Sequence, residues 1–296
     1  MAAVVVDNVR KSFGGRAVVD GLSMAVAKGT IHGFLGPNGS GKTTTLRMIM
    51  SILLPDSGRI EILGGGPART PRERIGYLPE ERGLYRKMAV RPLLVYLGTL
   101  KGRSRHEAGR SIDGWLDRFG LSDAGGKQVE ALSKGMAQRV QFIASVIGDP
   151  EVLILDEPFA GLDPVNVDAM KDVLVDLRRR GAAIVLCTHD MTSAEDLCDT
   201  VSMIFGGKKL ADGTIDEIRG ATKSDHVRVR IRGDRAILES IPGVEAVRDA
   251  GNHFLVRLSG DGQAFLRALA DRTEVVEFRI DRPSLHDVFV KLAGQA

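Results

Sequence analysis

The run Gly36-Pro37-Asn38-Gly39-Ser40-Gly41-Lys42-Thr43-Thr44 constrains this chain more than any other stretch. From Gly36 to Thr43 it fits the pattern G-x-x-x-x-G-K-[ST]. It lies between an apolar, strand-like run, Ile31–Leu35, and a helical run, Thr44–Met50. Glycines allow the tight turn that aims successive backbone N–H groups at a polyphosphate. At this spacing Lys42 reaches the β- and γ-phosphates and the Thr43 hydroxyl can ligate Mg²⁺. The positive end of the following helix adds to the attraction. A glycine-rich turn that binds nothing is the rival, and the flanking strand, helix and Lys-Thr pair argue against it. The expected ligand is a nucleoside triphosphate.

The rest of the composition narrows the setting. A chain of 296 residues that is 43% hydrophobic and 27% charged is expected to fold as about two domains of ordinary size. No apolar stretch approaches the roughly 18–20 residues that span a bilayer. Met1–Lys11 lacks the basic start and apolar centre of a secretory signal. A net charge of +3 and 5% aromatics give no bulk field for nucleic acid and few rings for base stacking, so no nucleic-acid partner is expected. The cysteines, Cys187 and Cys198, form no disulfide framework, which favours a reducing, cytoplasmic setting, with Cys187 in an apolar strand as a core residue.

Periodicity predicts strands at Val4–Val6, Met24–Val26 and Ile31–Leu35, then Arg59–Leu63 and, after the basic loop Pro67–Arg72, Arg74–Leu78. From about 84 to 148 the spacing turns helical, in Leu93–Leu100, Ser111–Phe119 and Gln138–Ile147. Strand Glu151–Leu155, helix Val165–Arg179 and strand Ala183–Cys187 form a βαβ rhythm, the mark of a parallel sheet covered by helices. A short helix at Ala194–Cys198 and a hairpin, Val201–Phe205 with Lys208–Asp212, complete this part. The composition shifts near Gly220–Asp225. Beyond it the pattern gives a strand (His226–Arg232), a helix (Asp234–Ser240), two strands (Val244–Asp249 and His253–Leu258), a helix (Gly262–Ala270), a strand (Glu274–Ile280) and a last helix (Pro283–Leu292). This β-α-β-β-α-β order plus a helix predicts a ferredoxin-like α+β domain. The expected domains are 1–220 and 221–296.

Two further runs carry chemistry. Val152-Leu153-Ile154-Leu155-Asp156-Glu157-Pro158 ends an apolar strand in paired carboxylates, at the edge where α/β crevices form. Asp156 is placed to hold Mg²⁺ opposite Thr43, and Glu157 to accept a proton from an attacking water. Leu132-Ser133-Lys134-Gly135-Met136 precedes a helix, where Ser133 and Gly135 can make a second anion site; taken alone it is an ordinary helix cap.

In this order the motifs resemble the ATP-binding cassette family: phosphate loop, LSGGQ-like signature, apolar-Asp-Glu strand and a switch histidine. The resemblance covers about residues 4–220 and implies a P-loop α/β cassette with an antiparallel β portion and an inserted helical subdomain. By resemblance, Phe13 takes the place of the aromatic that stacks on adenine, although a core phenylalanine is the plainer reading. Asp163, in Ala160-Gly161-Leu162-Asp163, matches the loop that signals across a dimer, and His189 the residue that contacts the γ-phosphate. Two positions depart from the family: Glu80 stands where a Mg²⁺-ligating Gln is usual, and Lys134 replaces the first of two glycines. Tyr77–Tyr85 (YLPEERGLY), the LSKG run and the chain's tail resemble a bacterial branch that includes sodium-extrusion and related export systems.

The resemblance implies an ATPase that uses ATP and Mg²⁺. Glu157, His189 and Lys42 carry the catalysis, and the signature of a second copy closes over the nucleotide in a homodimer. It also implies a separate transmembrane permease, docked around Glu80–Met88 and the helical segment that follows, and a place on the inner face of the membrane. The rival function is a soluble cassette ATPase acting on ribosomes or nucleic acid; such proteins usually join two cassettes in one chain or carry long coiled coils. Arg228, Arg230 and Arg232, alternating with apolar residues, are expected to form one solvated strand face.

Overall fold

The computed structural model describes residues 2–66, 69–81, 83–220, 226–280 and 283–295. The expected boundary segment at 221–225, and parts of the 67–72 loop and of YLPEERGLY, lie outside them. Two compact units are present, Met1–Ile215 with Leu292–Ala296, and Asp216–Lys291.

The larger unit begins with strands β1 (Ala2–Phe13), β2 (Arg16–Ala27) and β3 (Ile31–Leu35), followed by helix α1 (Lys42–Ile49) and strands β4 (Ser57–Ile62) and β5 (Ile75–Leu78). Helices α2 (Val90–Leu100), α3 (Arg105–Arg118) and α4 (Lys134–Val146) come next. Strand β6 (Val152–Asp156), helix α5 (Pro164–Arg179), strand β7 (Ala183–Thr188), helix α6 (Met191–Leu197) and strands β8 (Thr200–Phe205) and β9 (Lys208–Thr214) complete it.

Six strands form one sheet in the order β5-β6-β7-β3-β8-β9, parallel except for β9. Every residue of β3, β6 and β7 is buried, which explains their continuous apolar runs. A separate antiparallel sheet has the order β2-β1-β4. Helix α1 packs against β2, β4 and β6. Its Leu46 and Ile49 share a core with Val4, Val26 and Ile62 of the antiparallel sheet and with Phe34, Ile154 and Val185 of the parallel one. Each such side chain, fully withdrawn from water, contributes about 1.5–3 kcal/mol. The helix that carries the phosphate loop is thereby held by both sheets. Around α2–α4, Arg91 ties α2 to α3 by two hydrogen bonds to Asp113, at 2.7 and 2.9 Å. Phe119 packs edge-on against Phe142, with ring centroids 5.6 Å apart. Among the described residues no helix is long and apolar enough to cross a membrane.

Helix α7 (Ile215–Gly220) was not foreseen from periodicity. The smaller unit contains β10 (His226–Arg232), α8 (Arg235–Glu239), β11 (Val244–Asp249), β12 (Phe254–Leu258), α9 (Gly262–Ala270) and β13 (Glu274–Ile280), with α10 (Leu285–Ala293) after them. Its sheet order, β11-β12-β10-β13 with all neighbours antiparallel, is that of a split β-α-β pattern. Val229, Val256, Leu238 and Leu269 centre its core. On β10, Arg230 and Arg232 reach Glu277 and Glu274 on β13, at 3.5 and 3.3 Å, so part of the arginine face is a cross-strand ion-pair ladder.

His32, inside β3, is 2% exposed. Its Nε2 lies 2.9 Å from the Ser202 hydroxyl and its Nδ1 2.8 Å from that of Thr200. The Ser202 hydroxyl donates to Asp212, so its oxygen accepts from Nε2–H, and the Thr200 hydroxyl donates to Nδ1. Burial lowers the imidazole pKa from 6.5 to about 4, against a weaker pull upward from Asp212. The unfolded chain therefore binds this proton more readily. Stability rises with pH between about 4 and 6.5 and is lost as the buffer is acidified through that window. About 2 kcal/mol of the loss falls between pH 7 and pH 5. His32→Gln is expected to show a smaller drop in urea midpoint over that interval; an unchanged drop would assign the acid sensitivity elsewhere.

Candidate nucleotide site

Strands β6, β7 and β3 are parallel neighbours, so their C-terminal ends share one sheet edge; Leu35 pairs with Thr188, and Asp156 with Cys187. The phosphate loop leaves β3 at this edge, and α1 starts at Lys42, which brings Lys42 and Thr43 into its first turn. A cleft of about 330 Å³ opens here. It is lined by Asn38, Gly39 and Gly41–Thr44 of the loop and α1, by Glu80, Asp156 and Glu157, and by Val18 of β2.

The loop needs its glycines for different reasons. Gly41 has φ 103°, and a Cβ there would lie 2.6 Å from the Val18 carbonyl oxygen. A Cβ on Gly36 would lie 2.3 Å from that of Ile204. Gly39, at φ 79°, faces open space, which leaves its backbone accessible to a ligand. Lys42 Nζ donates to the carbonyls of Gly36 and Pro37, at 2.7 and 3.1 Å. Phosphate oxygens would compete for those protons as stronger, charged acceptors. The Ser40 hydroxyl is buried and has no hydrogen-bond partner.

Asp156 is 1% exposed, and both of its carboxylate oxygens lack a hydrogen-bond partner. Burial raises its pKa above the usual carboxylate value, although the Cys187 thiol and Thr43 hydroxyl alongside pull the other way. An orphaned buried carboxylate beside a hydroxyl and a second carboxylate, Glu80, is a hard-oxygen set that fits Mg²⁺. Glu80 is itself exposed, and the loop around it is pinned by Gln141 of α4, whose amide donates to the carbonyls of Pro79 and Glu81 at 3.1 Å each.

Glu157 sits at φ 48°, a left-handed conformation costly for a non-glycine residue. Its N–H donates to the Cys187 carbonyl at 2.9 Å. Its Oε1 accepts from the His189 backbone N–H at 3.0 Å and lies 2.7 Å from His189 Nδ1, which places the ring proton on Nδ1. Its Oε2 accepts from the Thr188 hydroxyl at 3.0 Å. The His189 side chain is 58% exposed, against 10% for Glu157.

Other expected site residues stand elsewhere. Phe13 ends β1, 49% exposed, with Lys11 Nζ 5.6 Å from its ring centre. It is therefore not a core residue, and it does not line the cleft. Ser133 caps α4 by accepting from Met136 N–H at 3.3 Å. Asp163 caps α5, accepting from Asn166 N–H at 3.1 Å, and this holds its pKa below the usual value. Gly135 faces the turn containing Gly161 and Leu162, and Gln138 of α4 donates to the Pro158 carbonyl at 3.1 Å. Within one chain Ser133, Gly135 and Asp163 do not join the cleft. Sequence reasoning missed Val18, Gln141 and the part taken by Thr188. Only Thr188 had a sequence signal, as a hydroxyl residue directly before His189.

Comparison with known proteins gives the family. A family model described as ABC transporter matches residues 19–160, and one described as the C-terminal domain of DrrA1-3-like ATP-binding proteins matches residues 213–293. The chain is 38% identical to the uncharacterized ABC transporter ATP-binding protein YhaQ of Bacillus subtilis, over 98% of either chain. It is 35% identical to the Nod factor export ATP-binding protein I of a Rhizobium species, over 100% of this chain and 99% of that one. A solved structure titled as the ATP binding subunit of an ABC transporter superposes with TM-score 0.71 at 30% identity, covering 74% of this chain and 92% of the other. With a cassette fold, a phosphate-loop cleft and relatives matched along nearly their whole length, the chain belongs to the ATP-binding proteins of ABC transporters, and is an ATPase of that family.

Proposed function

We propose that this chain energises an exporter as one of two identical cassettes that close on ATP. The observation that carries this reading is the convergence of Lys42, Thr43, Asp156 and Glu157 on one cleft at the C-terminal edge of the parallel sheet. Gly36–Thr44 hold the phosphates through backbone N–H groups, and Lys42 neutralises their outer charge. Thr43, Asp156 and Glu80 would hold Mg²⁺, whose chemistry there is to offset charge on the phosphate oxygens. Glu157 accepts the proton of the attacking water, and His189 steadies the transferring group. The exposed ring of Phe13 suits stacking on adenine. Ser133, Gly135 and Asp163 stand outside the cleft of their own chain, and in this reading they serve the second copy.

A separate permease would dock on the segment Glu80–Met88 and on α2 and α3, holding the chain at the inner face of the membrane. A groove of about 770 Å³ opens between those helices, lined in part by Met88, Val95 and Tyr96. Tyr85 and Tyr96, 57% and 42% exposed, meet edge-on with centroids 6.3 Å apart. Export as the direction rests on the relative named for Nod factor export.

Mixing two disabled chains tests the shared site. Lys42→Ala disables the cradle, Ser133→Arg disables the signature, and each alone is expected to be inactive. Mixed, half the dimers carry one intact composite site out of two, so activity should return to at most roughly a quarter of normal. No recovery on mixing, despite demonstrated exchange of subunits, would remove the two-copy site.

A further inference from the structure

We propose that Thr188 is a positioning residue for hydrolysis, and that it makes Oε2 of Glu157 the atom that takes the proton from water. The inference rests on Glu157 as the base and adds which oxygen acts and what aims it.

An ionised carboxylate offers about four acceptor positions. Three are filled in Glu157. Oε1 takes two hydrogen bonds from His189, at 3.0 Å from the backbone N–H and at 2.7 Å from Nδ1. Oε2 takes one, from the Thr188 hydroxyl at 3.0 Å. The open position is therefore on Oε2, beside the bond to Thr188. The hydroxyl is held on both sides: its oxygen accepts the Asp190 backbone N–H at 3.0 Å while its proton goes to Glu157 Oε2. Thr188 is 3% exposed, whereas the His189 side chain is 58% exposed. The contact from Thr188 supports Glu157 in its left-handed backbone conformation, φ 48°, which needs surrounding bonds to persist. In the proton transfer, water donates to Oε2 as its oxygen attacks the γ-phosphorus, the bond from phosphorus to the β–γ bridging oxygen breaks, and ADP leaves with that electron pair. Glu157 becomes neutral and later releases the proton to solvent.

The test compares Thr188→Val and Thr188→Ser in the full chain, with thermal melts to confirm folding. Thr188→Val is expected to lower kcat about 10- to 100-fold, the range for lost orienting contacts, with KM for ATP within about threefold of normal. Thr188→Ser keeps the hydroxyl and should restore kcat to within about threefold. In a Glu157→Gln background, single-turnover hydrolysis should not fall further when Thr188→Val is added, because the two act as one unit. The proposal is overturned if Thr188→Val turns over normally, if Thr188→Ser is as slow as Thr188→Val, or if the loss persists beside Glu157→Gln. If Thr188→Val does not fold, Thr188→Ser decides the matter together with Thr188→Ala. A folded alanine variant with normal kcat overturns the proposal, and a slow one beside a normal serine variant supports it. Normal hydrolysis by Glu157→Gln alone would instead sink the assignment of the base.

Discussion

Glu157→Gln is expected to lower ATP turnover about 10²- to 10⁴-fold while ATP affinity stays within about threefold of normal. Gln matches Glu in shape and keeps one carbonyl oxygen, which can accept the two bonds from His189. Its amide nitrogen would then face the Thr188 oxygen and donate to it, reversing the present bond. The pocket thus tolerates the change, and what disappears is the ability to take a proton. The phosphate loop is untouched, since no hydrogen bond links Lys42 or Ser40 to Glu157 among the described residues. ATP should therefore still draw two copies together, and without turnover the closed dimer should accumulate. Gel filtration with ATP against ADP reads that step, and phosphate release reads the other. Hydrolysis within about threefold of normal would remove Glu157 as the base. Loss of hydrolysis without a dimer would keep the base and remove the closure.

The readable part of this site was contiguous in sequence. Gly36–Thr44 and Asp156-Glu157 each declare their chemistry within a few residues, and the strands ahead of them are apolar throughout because both sheet faces are covered. Contacts between distant positions had no such local mark. Val18 reaches the cleft because its carbonyl meets Gly41, and Gln141 pins Pro79, 62 positions away. Helix starts erred where a cap outranked periodicity. Helix α3 begins at Arg105, well before Ser111, because Ser104 and Glu107 form a reciprocal capping box. Helix α6 begins at Met191 because the Asp190 side chain accepts from Thr192 and Ser193 N–H. Both signals were in the sequence and went unused. The smaller unit was easier: β10, β11, α9 and β13 have the bounds that periodicity set, because alternate residues of its central strands, Val227 and Val229 of β10 and Val256 and Leu258 of β12, are buried in one core.

Asp156→Asn is expected to separate function from stability in opposite directions. The carboxylate is buried with both oxygens unpartnered, an arrangement that costs the ligand-free fold about 1–3 kcal/mol. Asn removes the charge at nearly constant volume, and its amide group can donate toward the Thr43 hydroxyl alongside. The nucleotide-free variant should therefore melt about 2–4 °C higher than the unsubstituted chain. Turnover should fall about 10³-fold or more, because a neutral amide is a much poorer Mg²⁺ ligand than a carboxylate and the remaining set, Thr43 and the exposed Glu80, carries one negative charge. The thermal shift caused by ATP alone should survive, since Lys42 and the loop remain. The added shift when Mg²⁺ accompanies ATP should be lost. A variant that melts no higher but loses the Mg²⁺-dependent shift would mean that the buried charge is tolerated at no cost. One that keeps the Mg²⁺-dependent shift would move the metal onto Glu80 and Thr43 alone. The orphaned oxygens of Asp156 favour neither alternative. They amount to a site held open at the expense of the fold, and such a cost persists where a bound cation is what relieves it.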